Sequence, residues 1–424
     1  MKRLIAIAIG LIAITSALGQ RKGPPPKQGG GGYSIEQACS DRAQLHTIAF
    51  DALGFLTGDL CSSTFLPPGK VSDYFGFQYM RDIDTGTSGH NTDFLTRIAN
   101  NVWIILNKNQ KDQLIALARE QAVQIQDLAR KRFPLIKAFH QELDGNIPSG
   151  AQGLNQEAVK KYSGDLFELD GLLGYRRAQA FGSVARSLDA TQKAGFSKLV
   201  FGRSETWPEM DEQIDKRGFT HDEHVALMTY ASEFFSWYAG SVEADTYFCP
   251  ERHGTYFGSF YMKDAPAMGK KNYSISTSLT GDKGEAFLSA LTTPQRELIT
   301  SLVDLQRTDL AEIVKTRRAV SVELRRFMNS DAVDRQKVLT LARRYGELDG
   351  ELSWYYATRF AQVGHSLDAV QKQTLTKLRD LAGYKCEGAY LYSERISSPV
   401  IPNTDFLFRT ATESSSQSGL RELR

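Results

Sequence analysis

Residues 168–199 read ELDGLLGYRRAQAFGSVARSLDATQKAGFSKL, and residues 347–378 read ELDGELSWYYATRFAQVGHSLDAVQKQTLTKL. At this one offset 16 of the 32 positions are identical, where chance leaves roughly two. The chain therefore carries two copies of one unit. Within the first copy Leu166, Leu169, Leu173, Phe181, Val184 and Leu188 fall mostly three or four residues apart, with Ala178 between them. That is the period of a helix with a buried face. Upstream, Tyr74-Phe75-Gly76 with Tyr79-Met80 returns as Tyr256-Phe257-Gly258 with Tyr261-Met262, and Leu106 to Gln110 returns as Leu291 to Gln295. The offset drifts by a few residues, as insertions such as 146–150 in the first copy require. Segments 110–143 and 295–328 are rich in Leu, Ala, Gln, Lys and Arg, a helix-forming composition, broken only by Pro134. Segments 65–94 and 247–281, with Gly, Pro and aromatic clusters, read as long ordered loops with short strands. The fold class that follows is mainly all-α: two tandem homologous helical units carrying long aromatic, Gly/Pro-containing loops.

The ends set the boundaries. Lys2 and Arg3 precede an apolar run from Leu4 to Leu18 that is short for a membrane span, and Ala17-Leu18-Gly19 offers small residues at a cleavage site. Residues 1–19 thus read as a signal peptide, with an uncleaved anchor as the alternative, and the expected location is the periplasm or the exterior. Residues 20–33, with three prolines and a glycine run, read as a flexible linker. The expected units are 34–203 and 220–408, joined by a linker at 204–219 and followed by a disordered tail at 409–424. The 51 basic and 49 acidic residues leave a formal charge of +2, so no global field draws a nucleic acid. No segment of the mature chain is long and apolar enough to span a membrane.

Cys39, Cys61, Cys249 and Cys386 are too widely spaced for a zinc ribbon or haem attachment. In an oxidising compartment they suggest disulfides. Of three possible pairings, Cys39 with Cys61 and Cys249 with Cys386 lets each half close on itself.

Each copy holds two Leu-x-x-x-Gln stretches at helix starts: Leu106 to Gln110, Leu188 to Gln192, Leu291 to Gln295 and Leu367 to Gln371. In each, Asn107, Asp189, Thr292 or Asp368 serves as N-cap, and Gln110, Gln192, Gln295 or Gln371 three residues on reaches back to the cap's own N–H. Pro294 suits a first helical turn. The leucine is a half-satisfied staple, because it should meet Lys111, Lys193, Arg296 or Lys372. Two such motifs per unit in an exported helical chain resemble the LTxxQ motifs of the Spy/CpxP family of periplasmic stress proteins. Only Leu291 to Gln295 matches LTxxQ in full, and the family has one unit where this chain has two, without the aromatic loops. The resemblance implies an all-helical fold and an ATP-independent chaperone that holds unfolding polypeptide. The aromatic loops also look like those of uncharacterised exported bacterial proteins.

Several clusters suggest chemistry. His221 and His224 stand one helical turn apart and could ligate zinc or copper with a third ligand; the preferred reading is a helix N-terminus whose Asp222 and Glu223 complement the dipole. The acidic loop Asp82 to Asp93 departs from a calcium loop in placing Gly86 at position 5, so a plain loop capped at Asn91 or Thr92 is preferred. The repeated Glu168, Asp170, Glu347, Asp349 and Glu351 lack the Glu-x-x-His partners of a di-iron bundle and are expected to pair with Arg176, Arg177, Arg343 and Arg344. Cys249 to His253 sets a thiol beside a base, though a disulfide fits an exported chain better. The aromatics Phe234, Phe235, Trp237, Tyr238, Tyr247, Phe248, Tyr256, Phe257, Phe260 and Tyr261 are expected in the core, any exposed part being a surface for an apolar partner.

No catalytic set emerges. The functional expectation is a non-enzymatic envelope binding protein, specifically a holdase for unfolded or apolar polypeptide. The alternatives are a zinc- or copper-binding protein and an enzyme whose site lies between the two units.

Overall fold

A computed structural model describes residues 35–57, 65–66, 74–75, 92–201, 206–211, 213–246, 256–257, 281–330, 332–379, 389–391, 394–396, 400–401 and 403–410. The first copy runs α1 (Ile35–Ala38), α2 (Asp41–Thr57), β1 (Phe65–Leu66), α3 (Thr92–Ile105), α4 (Lys108–Lys131), α5 (Phe133–Asp144), β2 (Ala151–Leu154), α6 (Gln156–Arg186) and α7 (Ala190–Phe196). The second runs α8 (His221–Ala239), α9 (Val242–Thr246), α10 (Gly281–Ala290), α11 (Thr293–Thr300), α12 (Leu302–Arg325), α13 (Arg335–Ser366) and α14 (Ala369–Arg379). Short strands β3 (Ala389–Leu391), β4 (Glu394–Ile396) and β5 (Phe408–Thr410) complete the described chain. The fold is mainly α-helical. Among the described residues no helix is long and apolar enough to cross a membrane.

Pro134 separates α4 from α5 and occupies the first turn of α5, where its missing N–H costs nothing. Gly145, left-handed at φ 71°, ends α5.

The two long helices α6 and α13 cross at the centre and relate the copies by an approximate two-fold. Phe167 and Gly346 are equivalent positions, and they meet each other at the crossing: a β-carbon on Gly346 would lie 2.5 Å from that of Phe167. On either side Gly171 faces Ala342 and its equivalent Gly350 faces Ser163. The repeated Glu-Leu-Asp-Gly is therefore a close-packing device, since only glycine lets the backbones approach this far. Asp170 and Asp349, within the same motif, are buried.

The helices that open the copies have changed places. α8, which begins the second copy, packs on α3 and α4 of the first; α2, which begins the first, packs on α10, α12, α13 and α14 of the second. Phe181 and Phe196 of the first copy meet Phe234 of α8 at ring distances of 5.9 and 5.8 Å. In the other half His46 of α2 lies 3.3 Å from Glu285, and the Arg379 guanidinium covers Phe50. The repeated Tyr-Phe pairs sit between the halves in matching fashion. Phe75 contacts Phe181 and Trp237, while Phe257 contacts the equivalent Phe360 and Phe55. Arg317 lies over Tyr74, and Arg132 over Tyr256. The described residues all fall within one compact unit. The boundaries expected at 203 and 220 thus mark the copies in sequence, whereas the packed halves trade an opening helix. The expected linker is ordered where described: Trp207 and Ile214 are in the core, and the Ile214 N–H donates to Asn100.

Three strand pairings, in two small sheets, were not legible as such. β1 lies parallel to β3, which pairs antiparallel with β4. β2 pairs antiparallel with β5, setting Ala151 opposite Thr410 and Leu154 opposite Phe408. Arg409 and Thr410 are therefore part of a strand and not of a disordered tail, because β2, in the insertion of the first copy, offers them an edge. The expected signal peptide, the Pro/Gly linker, the rest of the tail and most of the aromatic loops lie outside the described residues.

Candidate functional site

The four helix-start motifs come together in two pairs. Asn107 accepts from the Gln110 N–H at 3.0 Å and donates its own N–H to Gln110 Oε1 at 2.9 Å. Asp189 and Gln192 repeat this at 2.7 and 3.1 Å. The two glutamines then clasp each other: Gln110 Nε2 donates to Gln192 Oε1 at 3.1 Å, and Gln192 Nε2 to Gln110 Oε1 at 2.6 Å. Gln110 also donates to Ser187 and Gln192 to the Ile105 carbonyl. The second copy builds the same clasp. Gln295 and Gln371 donate to each other at 3.2 and 2.7 Å, and reach Ser366 and the Ala290 carbonyl. The Thr292 N–H donates to Gln295 Oε1 at 2.9 Å, and the Asp368–Gln371 box closes at 2.7 and 3.2 Å. Leu106, Leu188, Leu291 and Leu367 are buried beside them. The motif is thus a joint between two helix starts; its pairing within each copy was the available signal.

Each half also holds a buried polar cluster. In the first half Arg177 Nη1 reaches both Glu233 oxygens at 3.0 and 3.2 Å, and both side chains are fully buried. Tyr230 donates to Gln121 Oε1 at 2.6 Å, and Gln121 Nε2 donates to the Leu173 carbonyl at 2.9 Å. The guanidinium lies 4.4 Å from the Tyr230 ring centre. Burial pushes the Tyr230 hydroxyl up to about 12. In the second half the equivalent positions hold Tyr356, Asp51 and Gln306. Tyr356 donates to Gln306, whose Nε2 donates to Gln44 at 2.9 Å. Burial first, and then Asp51, hold the Tyr356 hydroxyl well above its ordinary value. These groups are buried and bond within the core, so they are scaffold.

The sequence-marked carboxylates divide. Arg343 gathers Asp165 and Glu168 of α6, with Glu347 at 3.5 Å; Arg344 also reaches Glu347. Glu351 pairs with Lys160 at 2.9 Å. Arg176 takes Glu120 of α4, and Arg177 takes Glu233 of α8. A further cluster escaped the sequence. Arg325 binds Asp245 of α9 at both oxygens and Arg317 donates to the Asp245 carbonyl. Burial pushes the Asp245 carboxyl up to about 7, against the pull of Arg325 and Arg317.

His221 and His224 open α8. Thr220 caps this helix, accepting from the Glu223 N–H at 3.2 Å while its own N–H donates to Glu223 at 3.0 Å. His224 is buried with Nε2 3.3 Å from the Ile214 carbonyl, and its pKa is lowered, chiefly by burial. His221 is exposed. Among the described residues no three His, Cys, Asp or Glu side chains converge as a metal site. Both histidines border a cleft of about 440 Å³, lined by Ile214, Phe219, Val225 and Met228 with Asn100 and Lys216.

Cys39 is a free thiol, so the expected Cys39–Cys61 disulfide is not formed; burial and Glu36 push its pKa up to about 12. Cys61, Cys249, Cys386, the Asp82–Asp93 loop and Cys249–His253 lie outside the described residues. Of the aromatics marked in sequence, Phe234, Phe235, Trp237, Tyr256 and Phe257 are core and Tyr238 is half-buried, so they present no apolar surface. Tyr247, Phe248, Phe260 and Tyr261 lie outside the described residues.

No protein-family model, no curated protein and no solved structure matches the chain.

Proposed function

We propose that the chain is a non-catalytic binding protein of the cell envelope that holds apolar segments of unfolded polypeptide without ATP. The observation that carries this reading is the cleft between the 213–220 segment and α8. Its walls combine the apolar Ile214, Phe219, Val225 and Met228 with polar side chains such as Asn100, Lys216 and His221, and its volume of about 440 Å³ lies within the range of binding pockets. Val225 and Met228 are half-buried there, and a methionine adapts its shape to varied apolar partners. The apolar N-terminal run supports export, and the duplicated, capped helices support the resemblance to the Spy/CpxP family. The experiment is suppression of aggregation of a chemically unfolded client at near-equimolar ratio without nucleotide. Suppression is expected from the wild type and a several-fold loss from Val225→Asp with Met228→Asp. No suppression by the wild type refutes the reading.

A further inference from the structure

We infer that the two copies are obligate, mutually selective partners: each is an open groove completed only by the opening helix of the other. The first copy supplies α3, α4, α6 and α7 but not the helix that closes over them; α8 does that. The second supplies α10 to α14, and α2 lies across them. Both exchanged helices are buried on nearly every side, from Thr47 to Phe55 in α2 and from Thr229 to Trp237 in α8. A copy without its partner helix would expose a core groove and strand its buried polar groups, Arg177 in one half and Gln306 in the other.

The grooves are not interchangeable. α8 brings Glu233 to a fully buried guanidinium, Tyr230 to Gln121 and Trp237 to Phe181. Set in the other groove, Glu233 would face Tyr356, and Trp237 would take the place of the smaller Phe55 beside Phe257 and Phe360. α2 in the first groove would put Ile48 in place of Tyr230, removing the hydroxyl that binds Gln121. The partner each groove fits is therefore the other copy, not a second example of itself. For α8 the strongest term is Glu233, whose partner Arg177 stands only in the first groove, where the second has Tyr356; α2 in the first groove would set the shorter Asp51 against Arg177. This inference stands apart from the proposed client binding, which uses the first two turns of α8, from His221 to Met228.

The test is the full chain carrying a protease site in the exposed turn 215–218, cut after folding. The expected result is a single 1:1 particle that keeps its helicity and unfolds in one transition. After denaturation and separation, neither fragment alone regains cooperative unfolding, and mixing restores the particle. Glu233→Gln in the C-terminal fragment is expected to weaken reassembly roughly a hundredfold. Tyr230→Phe, which keeps the ring and removes one hydroxyl, should weaken it roughly tenfold or less. The exposed Lys315→Gln should leave it unchanged. Fragments that separate as folded monomers overturn the inference. So does a C-terminal fragment that pairs with itself as tightly as with the N-terminal one, or a Glu233→Gln fragment that reassembles like wild type.

Discussion

The two halves of this protein have the same skeleton and different interiors. Both close their helix starts with a glutamine clasp of nearly identical geometry, and both seat a foreign helix over the long central one. Yet one half buries an Arg177–Glu233 ion pair where the other buries Tyr356 near Asp51. Backbone termini impose the same demand on every helix, so the caps remain alike after duplication. A core position demands only that its neighbours agree, so each half has settled on its own solution. The difference also bears on the exchange: both helices carry a carboxylate at this position, Glu233 or Asp51, but the first groove meets it with Arg177 and the second with Tyr356.

The comparison breaks most visibly at the two cores. Arg177→Met leaves Glu233 buried without its cation and is expected to cost about 3–5 kcal/mol in denaturant unfolding. Tyr356→Phe at the equivalent position should cost about 1 kcal/mol. Equal losses would mean that the halves do not differ as described. Gly171→Val and Gly350→Val each push a side chain into the α6–α13 crossing, with an expected cost of about 1–3 kcal/mol in Tm-derived stability. Here the halves should respond alike. Gln110→Ala and Gln295→Ala remove a cap bond and the clasp together, about 1–2 kcal/mol each. A marked inequality between them would deny that the two joints are equivalent. The smallest effect concerns Cys39. Its folded pKa, about 12, lies above the 9.0 of an open thiol, so the unfolded chain loses that proton first. Its contribution is complete below about pH 9 and falls as pH rises toward 12. Peptide mapping after alkylation at pH 8 should find Cys39 protected in the folded chain and labelled in denaturant.

Helix positions were largely legible. The duplication was visible because Glu-Leu-Asp-Gly and Ser-Leu-Asp-Ala are repeated word for word, and both prove to be places where geometry tolerates little change: a glycine crossing and a helix cap. The caps at Asn107, Asp189, Thr292 and Asp368 were readable from local chemistry alone. The clasp was not, since it joins residues some 80 positions apart, as in Gln110 with Gln192. The exchange of α2 and α8 was likewise hidden, because periodicity reports that a helix has a buried face and not which groove receives it. Asp245 carried no motif; its burial depends on Arg317 and Arg325 arriving from α12. β2 and β5 are too short for alternation to show, and their partners lie more than 250 residues apart. The cleft beside Met228 came into view only through the flanking histidines, whose sequence signal pointed to metal and whose surroundings are a capped helix end.

Crosslinking tests the exchange of α2 and α8 directly. Asp222 at the start of α8 accepts from Gln126 of α4 at 2.9 Å. The equivalent of Gln126 in the second copy is the exposed Ala311. With a short bismaleimide, the pair Gln126→Cys and Asp222→Cys should link rapidly within one chain, and Ala311→Cys with Asp222→Cys should not. Linkage of the second pair in preference to the first would place α8 on its own copy and contradict the account.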